Sequence, residues 1–419
     1  MRALVYGMGV TGHAVADALA AHDVEVVRAD DDPARGDGTV VSLDTIDFLV
    51  PSPGVPEHHP VIAEALHRGI PVVSELDLAM YWDVGQRPVV AITGTDGKTT
   101  VTTMVTEMLL ASGRTALAVG NTEVPFVAAL DEPVEVFVVE ASSFRLRFAD
   151  RFRPHVATWL NLAPDHLDWH GSVEGYAAAK ARVFEHQTAA DVAVGNADDP
   201  VVMAALEHAP ARHVTFGTRG DHRVRDGELV TPSGEAVVAV GDLPRALPHD
   251  IANSLAATAT ALEAGASIDG VRGVLTTFTG LPHRVSFVAE ADGIRWYDDS
   301  KATAPHATAA AVAGFDHVVL IAGGRNKGLD LGALADNADR LRAVVAIGES
   351  ARDVAAAFAS RVPVTEAGSM DEAVAAARRA ARAGDAVLLS PGCASYDWYR
   401  SYAERGDDFV RAVRELVGS

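Results

Sequence analysis

The stretch from Pro88 to Met104, Pro-Val-Val-Ala-Ile-Thr-Gly-Thr-Asp-Gly-Lys-Thr-Thr-Val-Thr-Thr-Met, constrains the fold more than any other part of the chain. Val89 to Ile92 is a short apolar β-branched run, the composition of a strand buried on both faces of a parallel sheet. Gly94 and Gly97 then permit a tight turn through backbone angles that side chains resist. Lys98, Thr99 and Thr100 open a helix expected to run to about Ala111. Strand, glycine turn and a helix beginning Lys-Thr make a phosphate loop. Its backbone amides and the helix N-terminus face the phosphates, the lysine reaches the outer ones, and the first hydroxyl holds Mg²⁺. The loop residues are Gly94, Thr95, Asp96, Gly97, Lys98, Thr99 and Thr100. The common form has a further glycine five residues before Gly97, where this chain has Ile92.

The basic residues add a second constraint. Lysine and arginine total 35, yet only Lys98, Lys180, Lys301 and Lys327 are lysines. Arginine cannot replace a compact ammonium or an amine that gives up its proton, so a lysine that persists in such a chain is a candidate for chemistry. The net charge of -22 argues against nucleic acid or an anionic membrane as the main partner. No apolar run reaches the roughly 18–20 residues of a membrane span. One cysteine, Cys393, excludes an internal disulfide framework and fits a reducing cytoplasm. No leader is expected ahead of the opening strand, residues 2–6.

Read in order, residues 1–87 alternate strand and helix. Gly7-Met-Gly-Val-Thr-Gly12 follows the first strand, and Asp30-Asp-Asp32 ends the second, which is the dinucleotide fingerprint. It supports an oxidoreductase as the rival reading, although the same turn seats other diphosphates. A third strand, 48–50, ends in Pro51-Ser-Pro-Gly54, at a position where ligands collect in open α/β sheets. Gln86-Arg-Pro88 marks a boundary. The next segment, 88–280, holds the phosphate loop, a strand 135–139 ending at Glu140, and a strand 156–159 leading to Asn161-Leu-Ala-Pro-Asp-His-Leu-Asp168. Glu140, at a strand tip beside a phosphate loop, is placed to reach Mg²⁺. Lys180 lies on the following helix, about 173–187. Residues 221–240 read as a hairpin and 251–278 as helical. Thr279-Gly-Leu-Pro-His-Arg284 opens a third segment, 281–419. It has two antiparallel strands, 285–289 and 293–297, and the polar loops Asp298-Asp-Ser-Lys-Ala-Thr303, Gly323-Gly-Arg-Asn-Lys-Gly328 and Ser390-Pro-Gly-Cys-Ala-Ser395. The expectation is an α/β protein of three domains around a shared cleft: a Rossmann-like domain, a central phosphate-loop ATPase-like parallel sheet, and a second Rossmann-like domain.

Gly-Thr-Asp-Gly-Lys-Thr-Thr100, Asn-Ala-Asp-Asp-Pro200, Thr-Gly-Leu-Pro-His-Arg284, Asp-Asp-Ser-Lys-Ala-Thr303 and Ser-Pro-Gly-Cys-Ala-Ser395 together resemble the Mur ligases. These ATP-dependent amide ligases build the peptide of peptidoglycan. The resemblance covers nearly the whole chain. Within the family it favours the branch that adds D-glutamate to UDP-N-acetylmuramoyl-L-alanine, through Gly7–Gly12, Ser52–Gly54 and Ser395-Tyr-Asp-Trp-Tyr-Arg-Ser-Tyr402. A related ligase acting on another cell-wall nucleotide sugar or amino acid stays open.

The resemblance implies roles for all four lysines. Lys98 would bind ATP phosphates, with Thr99 and Glu140 on one Mg²⁺ and His166 on a second. Lys180 would be carbamylated by CO₂, turning an amine into a carboxylate. Asn253, Arg284, Asp299 and Lys301 match positions around adenine, phosphates and ribose. Val10, Thr11, Ser52, Pro53, Gly54 and Asn121 match those for the UDP and muramoyl parts. Thr303, Lys327, Ser395, Tyr396 and Tyr402 match those around D-glutamate. The implied reaction runs through an acyl phosphate, with Lys98, His166, Lys180, Arg284 and Lys301 as its catalytic groups, in a monomeric cytoplasmic enzyme whose domains close. Asp96, Asp250, Asp30–Asp32 and Tyr402 depart from the residues usual in the family. An oxidoreductase leaves the phosphate loop and three lysines without a role. A kinase or simple NTPase leaves the third segment's motifs unexplained, and a non-catalytic binding protein has little reason to keep four lysines.

Overall fold

Runs of valine, isoleucine and alanine that bury both faces form the strands, and the polar glycine-rich loops fall at their carboxyl ends. The computed structural model describes residues 1–32, 34–36, 42–83, 87–358 and 361–418. Gln86, in the first boundary expected from sequence, lies outside the described residues. The chain divides into two compact units. The first comprises residues 1–246 and 251–278, the second residues 247–250 and 279–419.

The first unit contains two parallel sheets. In the smaller one, β1 (Arg2–Tyr6) lies between β2 (Glu25–Ala29) and β3 (Phe48–Pro51). The larger has six strands: β4 (Val89–Thr93), β5 (Ala116–Gly120), β6 (Val136–Glu140), β7 (Val156–Trp159), β8 (Val192–Asn196) and β9 (Arg212–Phe216), in the order β5-β6-β4-β7-β8-β9. All five residues of β4 are buried, and each Val or Ile so placed contributes roughly 1.5–3 kcal/mol. One face of the larger sheet shares its core with the first sheet, where Val5, Val15 and Leu19 pack with Phe126, Phe137 and Trp159. The other face packs on the helix Lys98–Ala111 and on residues of 255–275. Residues 223–239 form three short antiparallel strands, β10 (Arg223–Arg225), β11 (Glu228–Val230) and β12 (Ala236–Ala239), one more than the expected hairpin.

In the second unit the strands are β13 (Ser286–Ala291), β14 (Ile294–Asp298), β15 (Val318–Gly323), β16 (Leu341–Ile347), β17 (Val364–Ala367) and β18 (Ala386–Leu389). Their order is β13-β14-β18-β15-β16-β17, with the β13–β14 pair antiparallel and the rest parallel. Each face carries its own apolar core.

Topology now gathers the motifs. In the first unit β6, β4 and β7 are neighbours, so Glu140, the phosphate loop and the Asn161–Asp168 loop leave one stretch of the sheet's carboxyl edge. In the second unit β14, β18 and β15 are neighbours, so the loops at 298–303, 390–395 and 323–328 leave adjacent positions. Parallel open sheets bind ligands at such edges.

Candidate active site

The phosphate loop takes the shape its glycines allow. Gly94 has φ 154° and Gly97 φ 84°, and a Cβ on Gly97 would stand 2.5 Å from Asn253 Oδ1. Asn253 therefore lies directly against the loop. Asn161 supports it from the other side: its Oδ1 accepts from Thr95 N at 3.0 Å and Asp96 N at 2.9 Å, and its Nδ2 donates to Asp96 O at 3.2 Å. Lys98 Nζ folds back to donate to Gly94 O at 2.9 Å and Thr95 O at 2.7 Å. Thr99 and Thr100 occupy the first turn of the helix.

Lys180 meets the same loop. It is fully buried, its Nζ donates to Gly94 O at 2.6 Å, and it lies 4.5 Å from the centre of the Tyr176 ring. Burial, and then repulsion from Lys98, push its amine well below the ordinary lysine range, while Asp165, Asp96 and Glu140 pull the other way. Glu140 is buried at the end of β6, with Oε1 accepting from Asn121 Nδ2 at 2.8 Å. Its Oε2 has no hydrogen-bond partner among the described residues. His166 has φ 53°, a left-handed conformation that costs an L-residue about 1–2 kcal/mol. Its ring stands 4.7 Å from that of Phe144 and 6.1 Å from that of Tyr176. Strain of this kind persists where the surroundings fix a residue for a task.

A cleft of about 650 Å³ opens beside these groups, lined by Val10, Thr11, Ser52, Pro53, Gly54 and Asn121, every residue that the sequence assigned to the nucleotide-sugar end. Asp30 and Asp31 also line it. Asp30 accepts from Met8 N and Asp32 N, and Asp31 from the Tyr6 hydroxyl. Those bonds hold both carboxyls below the usual range, and burial, then the bond to Asp31 and the charge of Asp31 and Asp30, raise the Tyr6 phenol to about 12.

In the second unit, Arg284 sits between two residues of positive φ, His283 at 59° and Val285 at 48°. For a β-branched residue the latter is an outlier. Val285 N donates to Asp299 Oδ1 at 3.2 Å, and Ser390 Oγ donates to Asp299 Oδ2 at 2.7 Å. Burial nevertheless raises the Asp299 carboxyl to about 7. Both of its oxygens thus serve to tie loops together within the chain. Lys301 Nζ lies 3.9 Å from the centre of the Tyr402 ring. Ser395 is buried, Tyr396 exposed, and Thr303 and Lys327 lie in the loops that follow β14 and β15.

Comparison with known proteins bears directly on this arrangement. Residues 92–261 match the Mur ligase middle domain and residues 283–393 the Mur ligase, glutamate ligase domain. A protein of Frankia casuarinae named UDP-N-acetylmuramoylalanine--D-glutamate ligase is 45% identical, over 99% of this chain and 94% of its own length. The chain belongs to the Mur ligase family. A protein of the same name from Geobacillus kaustophilus is 38% identical over 99% of this chain and 98% of its own. Among solved structures, a pseudomurein peptide ligase type C from Methanothermus fervidus shares the Mur ligase fold with a TM-score of 0.63 at 18% identity, covering 99% of both chains. MurF from Acinetobacter baumannii does so with a TM-score of 0.60 at 23% identity, covering 80% of this chain and 79% of its own.

Mur ligases are ATP-dependent and use Mg²⁺. The residues present fit a divalent cation: Glu140 Oε2 is a buried carboxylate oxygen without a hydrogen-bond partner among the described residues, on the strand beside the one that leads into the phosphate-loop helix with its Thr99 hydroxyl. Among the described residues no group of three His, Cys, Asp or Glu could hold a metal by itself. Among them, too, no helix is long and apolar enough to cross a membrane.

Each of the two strand edges also carries groups that sequence reasoning did not assign. Asn161 is the brace of the phosphate loop. Its signal was its place directly beyond β7, the neighbour of β4. Tyr176 lies four residues before Lys180 on one helix, the spacing that puts both on one face. Arg145 and Arg405 carried no signal at all, being two of the many arginines.

Proposed function

We propose that this Mur ligase joins D-glutamate to UDP-N-acetylmuramoyl-L-alanine at the expense of ATP, with ADP and phosphate as the other products, in the making of peptidoglycan precursors. The observation that carries this reading is the likeness along 99% of the chain to relatives bearing that activity in their names. The loops that the motifs occupy support it by leaving adjacent strand ends. We read residues 1–87, 88–280 and 281–419 as the nucleotide-sugar, ATP and amino-acid domains, in a cytoplasmic monomer.

A carboxylate resists attack by an amine, and transfer of a phosphoryl group to it gives an acyl phosphate that does not. The chain's part in that step is positioning and charge neutralisation. Gly94–Thr100 would cradle the triphosphate with Lys98 on its outer phosphates, and Asn161 and Asn253 would keep the loop in shape. Arg284 and Lys301 would add positive charge, and Asp299 would hold the loops around them. Thr303, Lys327, Ser395, Tyr396 and Tyr402 would receive the amino acid, whose amine then displaces phosphate. Thr99, Glu140 and His166 would hold Mg²⁺, two ions in all, which when bound offset charge on the phosphates.

Lys180 has the environment that carbamylation needs. Burial that lowers the pKa of an amine makes it easier for that amine to give up its proton, and the free amine is the nucleophile. Its nitrogen would bond to the carbon of CO₂, one C–O π pair would move to oxygen, and a proton would leave to solvent. The resulting carbamate would supply the oxygen donors that an ammonium cannot.

A coupled assay for ADP tests the function. With UDP-N-acetylmuramoyl-L-alanine, D-glutamate should outpace L-glutamate, L-lysine and diaminopimelate by about a hundredfold or more, as a site that pairs a substrate's polar groups rejects those it cannot pair. Equal turnover with L-lysine would overturn the assignment. Asp30 and Asp31 on the cleft wall favour a second reading, another nucleotide-sugar acceptor, which the same assay across acceptors decides.

A further inference from the structure

The cleft around Thr11 is rich in carboxylates, with Asp30, Asp31 and Glu123 on its wall. Arginines 35 and 145 are the cations among its lining residues. Arg35 is exposed and lies 3.5 Å from Asp32. Arg145 is only 6% exposed. Its Nη2 donates to Thr11 Oγ1 at 3.1 Å and to Gly120 O at 2.9 Å. Among the described residues, its buried Nε and Nη1 have no hydrogen-bond partner. Glu75 Oε2 stands 3.8 Å from Nη1, beyond hydrogen-bond reach, and is itself without a partner.

A buried guanidinium with two unsatisfied nitrogens is costly, and its partial pairing with Glu75 does not recover the loss. The geometry of Thr11 gives the expense a purpose. Its hydroxyl oxygen accepts from Arg145, so its own proton is left to donate elsewhere. Thr11 lies in the first turn of the helix Val10–Ala21, which has no side-chain cap and no acidic residue in that turn. Amides, a hydroxyl fixed as a donor and a buried positive charge therefore meet at one end of the cleft.

We propose that Arg145, acting through Thr11, is the positioning residue for an anionic group in this cleft, namely the phosphoryl groups of a nucleoside diphosphate. The ligand class rests on the functional reading above, while the anion subsite rests on the geometry alone. Arg145 sets the donor direction of Thr11 and supplies the positive field that the carboxylates of the cleft would otherwise cancel.

Calorimetric titration of the full chain with UDP, uridine and inorganic pyrophosphate tests this. Arg145→Gln keeps an amide donor but removes the charge. It should weaken UDP and pyrophosphate by about tenfold, as loss of a charge-assisted bond does, and leave uridine within about twofold. Arg145→Lys should fall between. Thr11→Val should give the same selective loss, and the double variant should lose less than the product of the two, because the residues act as one unit. If Arg145→Gln does not fold, the Lys and Thr11 variants carry the test. Equal weakening of UDP and uridine would reduce Arg145 to a structural brace, and unchanged UDP and pyrophosphate binding would remove the subsite. So would a wild-type chain that binds neither anion. Pyrophosphate binding that depends on Arg145, with no affinity for UDP, would uphold the subsite and overturn the nucleotide reading.

Discussion

The sheet edge at β6-β4-β7 and the one at β14-β18-β15 have the same plan, three parallel strands with polar loops beyond them, yet they treat buried charge in opposite ways. In the first, Lys180 has one carbonyl partner from the loop and repulsion from Lys98, and among the described residues Glu140 Oε2 and two nitrogens of Arg145 have no hydrogen-bond partner. In the second, fully buried Arg405 donates from Nε to Ser300 Oγ at 2.9 Å, from Nη1 to Cys393 O at 3.1 Å and from Nη2 to Ser300 O at 2.8 Å. Asp298 and Asp299 are likewise engaged. Among the described residues, Trp296 Nε1 is the one buried side-chain polar atom of the second unit left without a partner. Unpaired charge at the first edge costs stability. Paired charge at the second holds loops that carry the motifs.

The sharpest test replaces the two cations by methionine. Lys180→Met should lower kcat by about a thousandfold, comparable to the loss of one key electrostatic group in other active sites. Its denaturation midpoint should hold or rise, because removing a poorly paired buried charge in favour of an apolar side chain is neutral or stabilising. Stripping CO₂ and bicarbonate should lower wild-type activity, and bicarbonate should restore it. A variant that kept full kcat would return Lys180 to a structural role.

Arg405→Met should act the other way round. It strands the carbonyls of Ser300 and Cys393, and the expected loss is about 3 kcal/mol of stability in denaturant titration. A midpoint unmoved from wild type would break the contrast. The smallest effect is in pH. The Asp299 carboxyl titrates near 7 in the folded chain against an ordinary 3.8, so between those values the folded state binds the extra proton. Stability from this group is greatest below pH 4 and lost as pH rises toward 7. Asp77, raised to about 6, adds in the same sense, whereas His170, lowered to about 4, opposes it below its ordinary 6.5. Asp299→Asn compared with wild type isolates this contribution. The variant should gain roughly 1–3 kcal/mol relative to wild type between pH 5 and 8.

Local chemistry made much of this readable in advance. The phosphate loop declares itself because strand, glycines and helix start are contiguous, and the helix begins at Lys98 and ends at Ala111 as expected. The four lysines stood out because the chain otherwise uses arginine. The motif loops of the second unit were visible as polar runs at strand ends, but their adjacency was not, since β18 is last in sequence and sits between β14 and β15. Arg145 and Arg405 escaped for a related reason. What sets each apart is the company it keeps in space: Arg145 meets Thr11 across 134 residues, and Arg405 meets Ser300 across 105. Nothing in their neighbours along the chain records that.

The position of β18 also bears on how the protein is made. Synthesis runs from the N-terminus, and β14 and β15 leave the ribosome long before residues 386–389, which pair with both. At about 5–20 residues per second, one edge of β14 and one edge of β15 should stay unpaired for several seconds. Such edges invite pairing with other chains. At the centre of the first unit the wait is shorter: β4 gains both β6 and β7 within some 70 residues of chain, against the 88 between the end of β14 and the start of β18. Vectorial folding should therefore complete the phosphate-loop unit early and leave the other dependent on the last strand to emerge.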